Sequence, residues 1–165
     1  MAACTIKPEA SPQFKKLCER WKRSGYRHID KDLAAAFSAI QQDILACGAF
    51  RLQAGSRVEV YKYRQNSKDV KRGSSYGWRI LALYHKPTGC MYPIIVYPKT
   101  VWSDVDEALV ASAIIEIRQI LGYCISPGCD GEMATSDPPE RKEQGAAIQV
   151  KMQCVKCGAI QWATA

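Results

Sequence analysis

VEVYKYRQNSKDVKRGSSYGWRILALYHKPTGCMYPIIVYPK, residues 58–99, is the stretch that decides the fold. Val58 and Val60 alternate with Arg57, Glu59 and Tyr61, the period of a half-buried strand. The polar run from Gln65 ends in the turn Gly73-Ser74-Ser75 and reads as a loop. Trp78, Ile80, Ala82 and Tyr84 then alternate with Arg79, Leu81 and Leu83, a strand with both faces partly covered. Pro87-Thr88-Gly89 turns the chain into a third strand, Met91–Tyr97. Hairpin connections make neighbouring strands antiparallel.

Upstream, Cys4–Lys7 reads as a short strand ended by Pro8, and Ser11-Pro12 as an N-cap followed by proline at the first helical position. Phe14, Leu17, Cys18 and Trp21 follow at helical spacing, and Gly25 stops that helix. Asp30 is the expected cap of a second helix, whose apolar stripe runs Leu33, Phe37, Ile40, Ile44 and Cys47, with Gly48 as its C′ residue. Downstream, Ser103 or Asp104 with Glu107 resembles a capping box, opening a helix that turns Leu109, Ala113, Ile117 and Ile120 inward. The expected class is α+β, a four-stranded antiparallel sheet with helices on one side, over residues 1–121. Residues 122–165 form a second, smaller unit with too few apolar residues for a core of its own.

Composition is that of an ordinary globular chain, and no apolar run is long enough to span a bilayer. The N-terminal MAACTIKPEASPQF lacks the apolar core of a signal peptide, so the expected location is cytoplasmic. The net charge of +7 is unevenly spread. Residues 1–121 hold 19 Lys and Arg against 11 Asp and Glu, whereas residues 122–165 hold 4 against 5. Residues 57–79 alone hold 7 against 2, with Lys62 and Arg64 on one face of a strand. Like charges gathered on a sheet face repel and resist burial, so an anion, above all a phosphate chain, is the expected occupant. A plainly solvated basic face is the alternative.

Eight cysteines fall into two groups. Cys4, Cys18, Cys47 and Cys90 are scattered among apolar positions and read as buried thiols. Cys124-x4-Cys129 and Cys154-x2-Cys157 read as two metal knuckles on a small β-ribbon, holding one structural zinc. Arg141–Gln144 reads as a loop between the pairs, with Ala147–Gln153 and Ala159–Ala163 as strands. Four thiolates leave zinc no open coordination position, so the metal is expected to replace a hydrophobic core and not to catalyse.

The strings YKYR, KRGSSYGWRILALY, IIVYPK and SDVDEALVASAI together resemble a RelE-type toxin of bacterial toxin–antitoxin systems, over about residues 4–121. The resemblance implies a small α+β fold and ribosome-dependent mRNA cleavage by attack of a 2′-hydroxyl on the adjacent phosphorus. It implies mRNA, the ribosome and a cognate antitoxin as partners. Lys62 would be the base, Arg64 would grip phosphate, and Arg79 would stabilise the transition state. Lys99 would bind phosphate or protonate the leaving oxygen. Lys71 and Arg72 would meet the RNA backbone, and Trp102 would stack a base. Where many members carry a Tyr or His after the third strand, this chain reads Thr100-Val101-Trp102-Ser103-Asp104-Val105. The rival expectation is a non-catalytic relative that binds nucleic acid, a topoisomerase or the ribosome through the same sheet, with the zinc ribbon as a docking adaptor.

Overall fold

A computed structural model describes residues 4–70, 73, 75–126, 129, 131–135, 140–144 and 147–164. Lys71 and Arg72, and Pro127-Gly128 of the first cysteine knuckle, lie outside the described residues. The chain divides into two units, Met1–Ile117 and Arg118–Ala165. The fold is mixed α+β, and among the described residues no helix is long and apolar enough to cross a membrane.

In the first unit the order is β1 (Thr5–Ile6), α1 (Pro12–Arg23), α2 (Ile29–Gln42), β2 (Phe50–Ala54), β3 (Val58–Gln65), β4 (Trp78–His85), β5 (Cys90–Pro98) and α3 (Glu107–Ile120), the last running past the boundary between the units. The sheet has five strands in the order β1-β5-β4-β3-β2, one more than the expected four. The additional strand, β2, is an edge whose five residues are all exposed, so its side chains show no inward-outward alternation. Nor is the sheet wholly antiparallel, because β1 pairs parallel with β5. The chain reaches β5 only after two helices and a meander of three strands, the crossover a parallel pair requires.

Helix α1 forms where its caps and stripe agree. The Ser11 hydroxyl accepts from the Phe14 amide at 3.3 Å, and Phe14, Leu17, Cys18 and Trp21 are buried. At the other end Gly25 takes φ +96°, while the Gly25 and Tyr26 amides donate to the Lys22 and Trp21 carbonyls. That pair of bonds is a Schellman stop, which needs the left-handed residue glycine supplies. Helix α2 departs from expectation at both ends. It opens at Ile29 without a side-chain cap, and Asp30 instead pairs with Lys22 at 3.0 Å. It closes at Gln42, short of Ile44 and Cys47, because the Asp43 carboxylate accepts from the Leu45 amide at 2.9 Å and turns the chain. At α3 the capping carboxylate is Asp106, which accepts from Ala108 at 2.8 Å, in place of Ser103 or Asp104.

Helices cover both faces of the sheet, not one. Trp78, Ile80 and Tyr63 share the face toward α2, where Trp78 Nε1 donates to Asp32 at 3.0 Å and the Tyr63 hydroxyl to the Ile44 carbonyl. Lys62 and Leu81 share the opposite face and line a cleft of about 370 Å³ with Val110, Ala111 and Ile114 of α3. The reason lies in the central strands. All nine residues of β5 are buried, and in β4 only Tyr84 is half-exposed, so neither face can be left to water.

The second unit holds β6 (Met133–Thr135), β7 (Arg141–Gln144), β8 (Ala147–Cys154) and β9 (Ile160–Thr164). Long β8 pairs antiparallel with the other three, taking β7 along its first half and β6 along its last residues. Arg141–Gln144 is thus a strand and not a loop, recruited by the unpaired edge that the first half of β8 would otherwise present.

Asp32 is the one carboxylate buried in α2, and it accepts from the Lys68 amide and Trp78 Nε1, both at 3.0 Å. Replacing Asp32 by alanine strands the buried Trp78 indole donor and the part-buried Lys68 amide, a loss of about 2–3 kcal/mol. Urea unfolding of Asp32→Ala is expected to read that loss, and Asp32→Asn, which keeps an acceptor, to recover about half of it.

Candidate phosphate site and metal centre

The first site follows from strand register. β3 and β4 pair without a slip from Val58↔His85 to Gln65↔Trp78, which sets Arg64 directly across from Arg79. β4 and β5 set Arg79 beside Tyr97. Partners across a ladder share a face, so Lys62, Arg64, Arg79 and Tyr97 lie on the side of the sheet opposite α2. Gly77 makes the start of β4 fit: a Cβ there would stand 2.1 Å from the Gln65 carbonyl oxygen. The amide of Lys99, just past β5, donates to the Gly77 carbonyl at 2.9 Å and draws the end of β5 into the same corner.

The four cations stand in different surroundings. Arg79 is buried, and Nη2 and Nη1 donate to the carbonyls of Ser75 at 2.9 Å and Trp78 at 3.3 Å. Burial, and then the positive charge of Arg64, hold its pKa below the usual arginine value, while Tyr97 acts the other way. Arg64 is exposed and lines a shallow cleft of about 330 Å³ with Cys47, Gly48, Gln65 and Asn66. Cys47 and Gly48 both take positive φ, and the Cys47 carbonyl accepts from the Arg64 amide at 2.8 Å, so a strained turn borders the arginine. Lys62 is engaged by Asp104, Nζ to Oδ1 at 3.4 Å. The Val105 amide, then Lys62, keep the Asp104 carboxyl below its ordinary range. Lys99 Nζ donates to the Ser103 carbonyl. The Tyr97 hydroxyl is buried and has no hydrogen-bond partner among the described residues.

Register thus brings Lys62, Arg64 and Arg79 onto one face, with Lys99 anchored at its corner. Trp102 is held otherwise than a free stacking platform would be. Its ring lies 5.1 Å from Trp21 and 5.7 Å from Tyr97, with the Arg20 guanidinium 5.3 Å above it. Such a face favours anions by charge, and the buried Arg79 fork is the preorganised kind of group that braces developing negative charge.

The second site is the cysteine quartet. The Sγ atoms of Cys124, Cys129, Cys154 and Cys157 all lie within 4.8 Å of one another, with Cys124–Cys157 and Cys129–Cys154 both at 3.6 Å. Amides of Ser126, Gly131 and Lys156 donate to Cys124, Cys129 and Cys154 sulfurs at 3.4 Å, as amides around a thiolate centre do. The Cys157 amide, the largest influence on it, helps pull Cys154 down to about 6. At Cys129 the Gly131 amide also favours the thiolate, yet burial and the surrounding sulfurs outweigh it and push the thiol up to about 11. Four sulfurs at this spacing are compatible with a single metal ion among them.

Two residues that support the quartet gave no signal in the cysteine spacing. Arg118, in the last turn of α3, donates from Nε to the Cys124 carbonyl at 3.0 Å and from Nη2 to the Cys124 and Cys129 carbonyls, clamping the first knuckle. Gly131 sits against the sulfurs, where a Cβ would stand 2.6 Å from Cys154 Sγ and 2.7 Å from Lys156 Cβ. Elemental analysis of the purified chain is expected to find one equivalent of a divalent metal, and Gly131→Ala to reduce it to well under half. Full occupancy in that variant would mean that the sulfur cluster tolerates a methyl group. No family model, curated protein or solved structure matches the chain, so these two sites carry its functional reading.

Proposed function

We propose that the first unit is a RelE-like endoribonuclease that cleaves mRNA on the ribosome, and that the second is organised by one structural zinc. The observation that carries the cleavage reading is the Arg64–Arg79 pair. Two arginines paired across a ladder, one of them buried and lowered in pKa by that burial and then by the charge of the other, repel each other and cost desolvation. An anion held between them would offset that cost, and a phosphodiester going to a dianionic phosphorane offsets it most in the transition state. The α+β class is the one the family resemblance implies, although the sheet has five strands where the resemblance implies four.

In this reading Arg64 and Arg79 hold the non-bridging oxygens of the scissile phosphate. The 2′-oxygen forms a bond to phosphorus while the bond to the 5′-oxygen breaks, leaving a 2′,3′-cyclic phosphate and a 5′-hydroxyl. Lys62, once parted from Asp104 and after giving its ammonium proton to water, accepts the 2′ proton as a neutral amine, and Lys99 as an ammonium supplies one to the departing oxygen. A cognate antitoxin would block the same face. The Lys62–Asp104 and Lys99–Ser103 contacts favour the second reading, a module that binds RNA without cutting it, because both occupy groups that catalysis requires.

Zinc is the metal best suited to the quartet. Four thiolates around an ion at about 2.3 Å sit about 3.8 Å apart, close to the 3.6 Å of the two measured pairs. All four positions are filled by the chain, so its part is to hold the knuckles together and not to activate water. Zinc is therefore the expected metal, and removing it with a chelator should unfold the second unit as read by Trp162 fluorescence.

Incubating the purified protein with ribosome-bound mRNA tests the reaction. Primer extension is expected to map new 5′ ends for the native chain, and Arg79→Ala is expected to slow their appearance by about 10²–10³-fold. If the native chain binds the message and leaves it whole, the binding-module reading replaces the enzyme.

A further inference from the structure

Helix α1 carries a feature that neither the sheet site nor the core explains. Phe14, Leu17, Cys18 and Trp21 fill one side. Lys16, Arg20 and Arg23, at i, i+4 and i+7, form a stripe along the other, and all three are exposed. With a rise of 1.5 Å per residue the stripe is about 10 Å long. The acids nearby are committed elsewhere. Glu19 and Asp30 both pair with Lys22, at 3.1 and 3.0 Å on the flank of the helix, while the stripe forms no ion pair among the described residues. The three charges therefore stand uncompensated on a rigid helix.

Arg20 is also held in place. Its guanidinium lies 5.2 Å from the centre of the Trp21 ring and 5.3 Å from that of Trp102. Stacking on indole fixes the planar group while leaving its N–H edge open to solvent, which suits an oxygen-rich anion. Trp102 in turn packs on Tyr97, the ladder neighbour of Arg79. A chain of contacts, Arg79–Tyr97–Trp102–Arg20, joins the sheet face to the stripe. Trp102, expected from sequence to stack a base, carries the Arg20 guanidinium over its ring.

We infer that Lys16, Arg20 and Arg23 form a binding track for the phosphodiester backbone of RNA, separate from the scissile position and reached from it over Trp102. It extends the proposed RNA site, and it does not require the cleavage chemistry, because the track depends on α1 and the site on β3 and β4. A spaced row of cations reads backbone and not bases, so affinity along the track is independent of sequence and strongly dependent on salt.

Fluorescence anisotropy with the full-length chain tests the track, using a labelled single-stranded RNA and a labelled RNA hairpin over a series of salt concentrations. Lys16→Gln, Arg20→Gln and Arg23→Gln together remove three charges from exposed helix positions. Binding is expected to weaken by at least about tenfold, and the slope of log affinity against log salt to fall by about 2–3, on whichever RNA form occupies the track. A larger slope change on the hairpin identifies duplex backbone as the ligand, and a larger change on the single strand identifies extended backbone. Arg20→Lys keeps the charge but loses the stacked fork, so it should retain the slope while binding a few-fold more weakly. Arg79→Ala should lose cleavage, and the three glutamine substitutions added to it should still lower the salt slope by about 2–3, which separates this inference from the enzyme reading. Circular dichroism of the triple variant is the folding check. A folded triple variant with native affinity and native slope on both RNAs overturns the track.

Discussion

The register of β3 against β4 is the constraint on which the first unit depends. It runs unbroken over eight pairs, and the close approach of Gly77 to the Gln65 carbonyl fixes its open end. Because side chains alternate, a slip of one residue would carry Tyr63 and Ile80 out of the core and drive Lys62 and Arg64 into it. The same register delivers Trp78 to Asp32 on one face and Arg79 to Arg64 on the other. Core and candidate site are thus two faces of one ladder. What stabilises the first holds the second in a geometry that would not persist by itself, since the opposed arginines repel.

How the protein retains that repulsive pair is a question of surroundings. Arg79 is neutralised in part by carbonyl dipoles, those of Ser75 and Trp78, which satisfy donors without supplying a full negative charge. A carbonyl acceptor leaves a guanidinium cationic, whereas a carboxylate would quench its field. Glu59 on β3 is the contrasting case. It is buried at the other end of the strand, but there Arg51 and Lys86 approach at 3.1 Å and the Tyr61 hydroxyl at 2.8 Å. That cluster is closed and structural. At Arg79 the acceptors just named are backbone carbonyls.

Much of this was legible in the sequence where one physical signal dominated. Ser11-Pro12, the Phe14–Trp21 stripe and Gly25 agree about α1, and cap, packing and stop all stand as read. The alternation in β4 and the Pro87-Thr88-Gly89 turn gave the central hairpin. What escaped was structure whose cause lies elsewhere in the chain. Strand β2 has no buried face to impose a period and exists because β3 offers it an edge. Strand β7 is recruited by β8 in the same way. Helix α2 ends early through an Asx turn at Asp43 that competes with a continuing apolar stripe. In the sites, the residue types were readable and their engagements were not. Nothing in the spacing of Lys62 and Asp104, 42 positions apart, announces an ion pair. Nor does the cysteine pattern announce that Arg118 and Gly131 complete the knuckles.

The second unit answers a shortage of apolar residues with a different kind of core. Of its buried residues, Cys124, Cys129 and Cys154 form the central cluster, with Met133 and Ala159 packed against it. Sulfur atoms make an adequate core only while they are neutral or bridged, because adjacent thiolates repel at these distances. The amides aimed at Cys124, Cys129 and Cys154 favour the thiolate form, and at Cys124 and Cys154 the thiol pKa is held below its usual value. Arg118 adds a positive charge at the carbonyls of the first knuckle, on the side where a bound tetrathiolate centre would leave net negative charge. A hydrophobic core would need none of these devices. Their presence together is compatible with a single metal ion at the centre, and with one bound the stability of this sheet would be set by metal affinity more than by buried area.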